Sequence, residues 1–240
     1  MQGYNAEGIS ELLKTVNDAF NKVGETMANN WGDVVTLMQD EWIGPDEQDY
    51  EGKLAERYVK LYTSCEDIVK QTLTNLIEVG KSWVEMQNKN RLEGDSSFQA
   101  ATLTERGFEN IPTLNTYDIA SVVKLRERTF AANENMGLTN GASSGANILQ
   151  RINTYNDDIK NEIQTLWGSV DASKAFLDPQ QSDAVTSYIA AVGELLKSIN
   201  TEVDDMTVHL SQLAGTSYEE MVQTVAQEMN RAANEVSSQV

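Results

Sequence analysis

His209 is the only histidine in the chain, so a Ser-His or Cys-His nucleophilic pair would have to use it as its base. Cys65 is the single cysteine, which excludes an internal disulfide. It lies between Leu61 and Ile68 at helical spacing, the setting of an inert core thiol. Glu202, Asp205 and His209 stand at i, i+3 and i+7, a spacing that could turn three metal ligands to one side of a helix. Carboxylate-bundle metal sites need matching Glu-x-x-His pairs on opposing helices, and a second histidine is missing. The pairs Asp157-Asp158 and Asp204-Asp205 suit solvated helix faces, and no glycine-rich phosphate loop follows a strand. The expectation is a non-enzymatic protein with no cofactor and no metal.

Charge narrows the partners. Lys and Arg number 18 against 37 Asp and Glu, a formal net charge of -19. Such a field repels phosphate backbones and anionic headgroups alike, so nucleic acid is not an expected partner. No run of about 20 apolar residues is present to span a bilayer, so membrane insertion is not expected. MQGYNAEGISELLK has neither the basic start nor the apolar core of a Sec signal peptide. If the protein leaves the cell, the expected route is one that carries folded helical cargo. What remains is recognition of other proteins, copies of itself among them.

The elements that position these residues are long helices. Prolines occur only at 45, 112 and 179, and proline is the residue that most reliably ends a helix. Ile9, Leu13, Val16, Phe20, Val23, Met27, Trp31, Val34 and Met38 follow in steps of three or four, one stripe of a single helix. After the GPDE turn, Leu54, Tyr58, Leu61, Cys65, Ile68, Thr72, Leu76, Val79, Trp83 and Met86 repeat the pattern. A connection this short makes the two helices antiparallel neighbours. Ile148, Ile152, Tyr155, Ile159, Ile163, Leu166 and Val170 form a third stripe. Ala184, Tyr188, Ala191, Leu195, Ile199, Val203, Met206, Leu210 and Leu213 form a fourth.

The two halves look like copies. Set at an offset of 134 residues, AFLDPQQSD answers EWIGPDEQD, with Pro179 on Pro45, Phe176 on Trp42 and Leu177 on Ile43. WGSV at 167–170 answers WGDV at 31–34 once a two-residue difference is allowed. An internal duplication of a helical hairpin follows. The predicted fold is all-α: two long antiparallel hairpins, 1–92 and 147–214, forming a four-helix-bundle-like core. An insert and linker, 93–146, and a C-terminal helix, 215–240, complete it.

A Trp, any residue and a Gly at the bend between two amphipathic helices, here Trp42-Ile43-Gly44, resembles the WXG family of helical hairpins exported by type VII secretion. Pro45-Asp46 and Tyr50 after the bend also look like what members carry there. The resemblance covers about residues 5–92 and, more faintly, 147–214. It implies a substrate, partner or chaperone of a type VII-like export system, with the second hairpin standing where members usually place a second chain. Gly44 is then expected to give the turn a permissive backbone, Pro45 to open the next helix and Trp42 to cap the open end. Secreted members usually carry Tyr-x-x-x-Asp/Glu just after the second helix. Here that spacing occurs only at Tyr62 and Glu66, inside the helix, and the second turn, Phe176-Leu177-Asp178, lacks the motif. A second expectation is a structural subunit of a phage virion or another multicopy assembly, in which long acidic helices tile.

The insert differs in character. RLEGDSSFQAATLTERGFENIPTLN has little periodicity. Ile119, Val122, Val123 and Phe130 predict a helix capped by Asn115 or Thr116. Lys124, Arg126 and Arg128 gather positive charge in an acidic protein and suggest a docking surface. TNGASSGAN, residues 139–147, reads as a flexible linker. The last segment suits a helix starting at Ser217.

Overall fold

The computed structural model describes residues 6–89, 114, 116–130 and 137–215. The predicted helix from Ser217 and most of the irregular insert lie outside the described residues. The fold is all-α and bundle-like. In chain order it runs α1 (Ala6–Glu41), β1 (Trp42–Ile43), α2 (Pro45–Lys89), α3 (Ile119–Val122), β2 (Gly137–Leu138), α4 (Ala142–Ala172), a 3₁₀ turn (Ser173–Ala175) and α5 (Pro179–Leu213). Pro45 opens α2 and Pro179 opens α5, so the helix starts keep the offset read from the sequence. Each proline sits where its missing N–H has no intrahelical acceptor to lose. Among the described residues no helix is long and apolar enough to cross a membrane.

The stripes of α1 and α4 are buried at every predicted position. On α2 the stripe is buried from Leu54 to Leu76 and then moves to Ile77 and Val84, leaving Met86 41% exposed. On α5 the predicted Tyr188 is 40% exposed and Ala191 is exposed, while Val185, Val192, Ile199 and Met206 are buried at a seven-residue repeat. A long helix of 3.6 residues per turn drifts relative to steps of three and four, so a stripe drawn over ten turns slides off the core side.

The chain divides into two compact units, each drawing on both hairpins. The first comprises Met1–Glu25, Tyr62–Tyr117 and Asn161–Gly193. In it Phe20 of α1 stacks on Tyr62 of α2 with centroids 5.0 Å apart, and the Tyr62 hydroxyl accepts the Tyr117 N–H at 3.0 Å. A Cβ on Gly24 would meet Tyr117 Cδ2 at 2.4 Å, so only glycine lets this aromatic lie on α1. The α5 start is closed by a reciprocal pair: Gln181 N–H donates to Asp178 Oδ1 at 2.8 Å and Asp178 N–H to Gln181 Oε1 at 3.3 Å.

The second unit comprises Thr26–Leu61, Asp118–Lys160 and Glu194–Val240. Its core is an aromatic triangle from three helices: Trp31 (α1) lies 5.8 Å from Tyr58 (α2) and 5.9 Å from Tyr155 (α4), with Tyr58 and Tyr155 edge to face at 5.0 Å. Arg57 of α2 clamps Glu202 of α5 through Nε at 3.0 Å and Nη2 at 2.7 Å. Within this unit the two hairpins therefore pack on each other inside one chain.

Two expectations for the insert change. The predicted helix is only the four residues of α3, capped by Asp118 rather than Asn115 or Thr116, with the Asp118 side chain accepting the Ser121 N–H. Beyond it residues 125–130 have no helical structure. TNGASSGAN is not a free linker: 139–141 form a turn and α4 starts at Ala142. Thr139 donates from N–H to Glu41 O at 2.9 Å and from Oγ1 to Asp40 O at 3.0 Å, filling carbonyls that the end of α1 leaves unbonded. Ser144 Oγ, which accepts the Asn140 N–H, donates in turn to the Glu41 carboxylate. Gly137 and Gly141, at φ 126° and 58°, supply the left-handed backbone this turn needs.

Candidate functional site

Two neighbouring groups in the second unit bring the singled-out residues together. The first is built on the α1–α2 turn. Trp42 and Ile43 pair antiparallel with Leu138 and Gly137, which fixes the backbone of the motif. Trp42 is fully buried, with its ring 5.6 Å from Tyr50 and 5.7 Å from His209. Its indole N–H donates to Asp46 Oδ2 at 3.3 Å, and His209 Nε2 meets the same oxygen at 2.7 Å. Asp46, in the first turn of α2, thus ties the turn to the last turn of α5.

Gly44 plays a different part from the one expected. Its φ is not in the left-handed region, so the turn does not need glycine for backbone freedom. A Cβ at this position would come within 2.2 Å of Asp46 Oδ1. The glycine makes room for the carboxylate that holds Trp42 and His209.

The second group is a strap, residues 124–130, lying against α1 and α2. Trp31 Nε1 donates to Lys124 O at 3.2 Å. Arg126 N–H donates to Glu51 Oε1 at 2.5 Å, and its carbonyl accepts Gln39 Nε2 at 2.8 Å. Two residues on, Gln48 takes both main-chain groups of Arg128, donating to its carbonyl at 2.9 Å and accepting its N–H at 3.4 Å. The bonding repeats every second residue, as along a sheet edge, but side chains of two helices supply the partners. Arg126 Nη1 reaches Thr36 Oγ1 at 3.4 Å, and Arg128 Nη1 donates to Gln39 O at 2.6 Å. The predicted docking residues are thus engaged within the chain, with the Lys124 side chain exposed.

Beneath the strap lie two buried carboxyls, Glu47 and Glu51, both fully buried. Glu51 accepts from Arg126 N–H and from Gln39 Nε2 at 3.2 Å. Neither oxygen of Glu47 has a donor. Burial pushes the Glu47 carboxyl up to about 8, and the adjacent Glu51 charge acts the same way. Glu51 is also pushed up by burial, against its hydrogen bonds from Arg126, Glu47 and Gln39. Burial and the neighbouring Glu51 charge thus favour the protonated form of Glu47.

The remaining candidates do not converge. Glu202 is taken by Arg57, His209 by Asp46, and Asp205 offers its carbonyl to the Tyr50 hydroxyl at 3.5 Å. Burial pushes the Cys65 thiol up to about 12, which leaves no thiolate at neutral pH. Tyr62 is buried and Glu66 binds Lys70, so this spacing serves packing on α2. Phe176 and Leu177 lie half-buried at the second turn in the first unit, beside Val79 and Trp83. Pro179 is exposed there.

Sequence reasoning passed over Gln39, Gln48, Glu47 and Glu51. A signal for the acids existed, since Glu47 and Glu51 continue the Leu54–Tyr58–Leu61 stripe backwards in steps of four and three. Comparison with protein-family models, with curated proteins and with solved structures finds no match to the chain.

Proposed function

We propose that this is a non-enzymatic helical protein acting through protein–protein contacts, as a WXG-like substrate, partner or chaperone of a type VII-like export system. The observation that supports the reading is the place of Trp42-Ile43-Gly44. It forms the bend between α1 and α2, with Trp42 packed against His209 of the second hairpin. Within the second unit the second hairpin of the same chain packs against this turn. The test is production of the full-length chain in a host with an active type VII system. Accumulation in the medium, lost when the export ATPase is inactivated, is the expected result. Retention in the cell regardless of the ATPase sinks the reading.

A second reading, a structural subunit of a phage virion or other multicopy assembly, draws on the burial of Trp42. A tryptophan with no exposed surface suits a packing role better than a displayed signal. Recovery of the protein in particles of many copies, identified by sedimentation and mass spectrometry, would favour it.

A further inference from the structure

The strap is held by its main chain and by its arginine side chains. Lys124, Arg126 and Arg128 present their backbone polar groups to Trp31, Gln39, Gln48 and Glu51. Such bonds read an extended backbone and leave the intervening residues free, the principle by which sheet edges bind peptides. Gly32 of α1 and Gly52 of α2 lie under the strap: a Cβ on Gly32 would press on Arg126 Nη2 at 3.3 Å, and one on Gly52 would make ordinary contact with Leu125 Cδ2 at 3.9 Å.

The guanidinium groups add to the main-chain bonds: Arg126 Nη1 meets Thr36 Oγ1 at 3.4 Å and Arg128 Nη1 donates to Gln39 O at 2.6 Å, and the net charge of -19 favours a cationic occupant. The Arg128 guanidinium lies 4.9 Å from the Phe130 ring centroid and so stiffens the end of the strap. We infer that the α1–α2 groove is a binding site for an extended basic peptide with arginines at alternate positions, and that the strap is a resident occupant which a partner segment of the same chemistry displaces. The groove chemistry is the same for an export partner or an assembly partner, and failure of export leaves this binding untouched.

The test uses a fluorescent peptide with the sequence of residues 123–130 and two full-length chains, one intact and one with 124–130 replaced by alternating Gly and Ser. A tethered occupant competes at roughly millimolar effective concentration, so the peptide binds the replaced chain about tenfold tighter or more. N-methylation at the amides of its two arginines abolishes that binding. Equal affinity for both chains, or undiminished binding of the methylated peptide, overturns the inference. Should the replaced chain fail to fold by circular dichroism, the intact chain answers by residue-resolved hydrogen exchange. The Arg126 and Arg128 amides then exchange severalfold faster under excess peptide, and unchanged protection overturns the inference.

Discussion

The Tyr155 hydroxyl donates to the main-chain carbonyl of Met27 at 3.0 Å, so α4 of the second hairpin reaches the backbone of α1 in the first. Both side chains are buried, and burial pushes the Tyr155 phenol well above its ordinary range, so it stays a donor at any working pH. Tyr155→Phe removes one hydrogen bond and is expected to cost about 0.5–1.5 kcal/mol. Tyr155→Ala also opens a cavity beside Trp31 and Tyr58, at about 3–5 kcal/mol. Urea unfolding followed by circular dichroism measures both. A Tyr155→Ala loss below that of Tyr155→Phe contradicts the core assignment.

Trp42→Ala should be as costly as any core truncation, about 3–5 kcal/mol, because the ring is fully buried. Gly44→Ala carries a diagnostic of its own. If the clash with Asp46 Oδ1 is the reason for glycine, Gly44→Ala destabilises the native chain but is close to neutral in an Asp46→Ala background. An equal cost in both backgrounds assigns the glycine to some other constraint.

The hairpins, the α1 and α4 stripes and the proline-marked helix starts were legible in the sequence because burial of one face imposes its period on residue types. The strap was not. Lys124, Arg126 and Arg128 alternate with Leu125, Glu127 and Thr129, a period-two pattern masked by apolar residues whose spacing also suits a helix. Its partners are glutamines and carboxylates on α1 and α2, which in sequence resemble solvated surface. Nor could the turn residues reveal why Gly44 is glycine, since the cause is the side chain of a residue two positions on.

Arg57 and Glu202 offer a measure of how firmly α2 and α5 are joined. Glu202 is 6% exposed, and Lys53 Nζ, at 3.9 Å, is a poor substitute for the two Arg57 nitrogens. Arg57→Met alone strands a buried carboxylate and is expected to cost about 2–3 kcal/mol, somewhat below the 3–5 kcal/mol of a fully buried pair. The Arg57→Met, Glu202→Met double variant should recover most of that loss. A double variant less stable than Arg57→Met would show that the pair contributes beyond mutual neutralisation.

Stability should fall as pH rises through the neutral range, and Glu47 supplies the reason. Its ordinary carboxyl value of 4.5 is pushed up to about 8 in the folded chain, chiefly by burial. A raised carboxyl keeps its proton in the fold at a pH where the unfolded chain has released it. The stability it contributes is complete below about 4.5 and is lost as pH climbs toward 8, at about 1.4 kcal/mol per unit. Arg128, Arg126 and Gln39 face the pair from the strap and α1, and Asp46 faces it from α2. The net charge of -19 pushes in the same direction, so the wild-type slope alone does not isolate Glu47. Glu47→Gln does: the amide N–H replaces the acid proton toward Glu51 and cannot ionise. Urea melts of the two chains should then match near pH 4 and diverge progressively as pH rises, by up to about 5 kcal/mol in favour of the variant near pH 8.5. Parallel pH profiles would mean that Glu47 is already ionised in the fold, with water reaching its two oxygens.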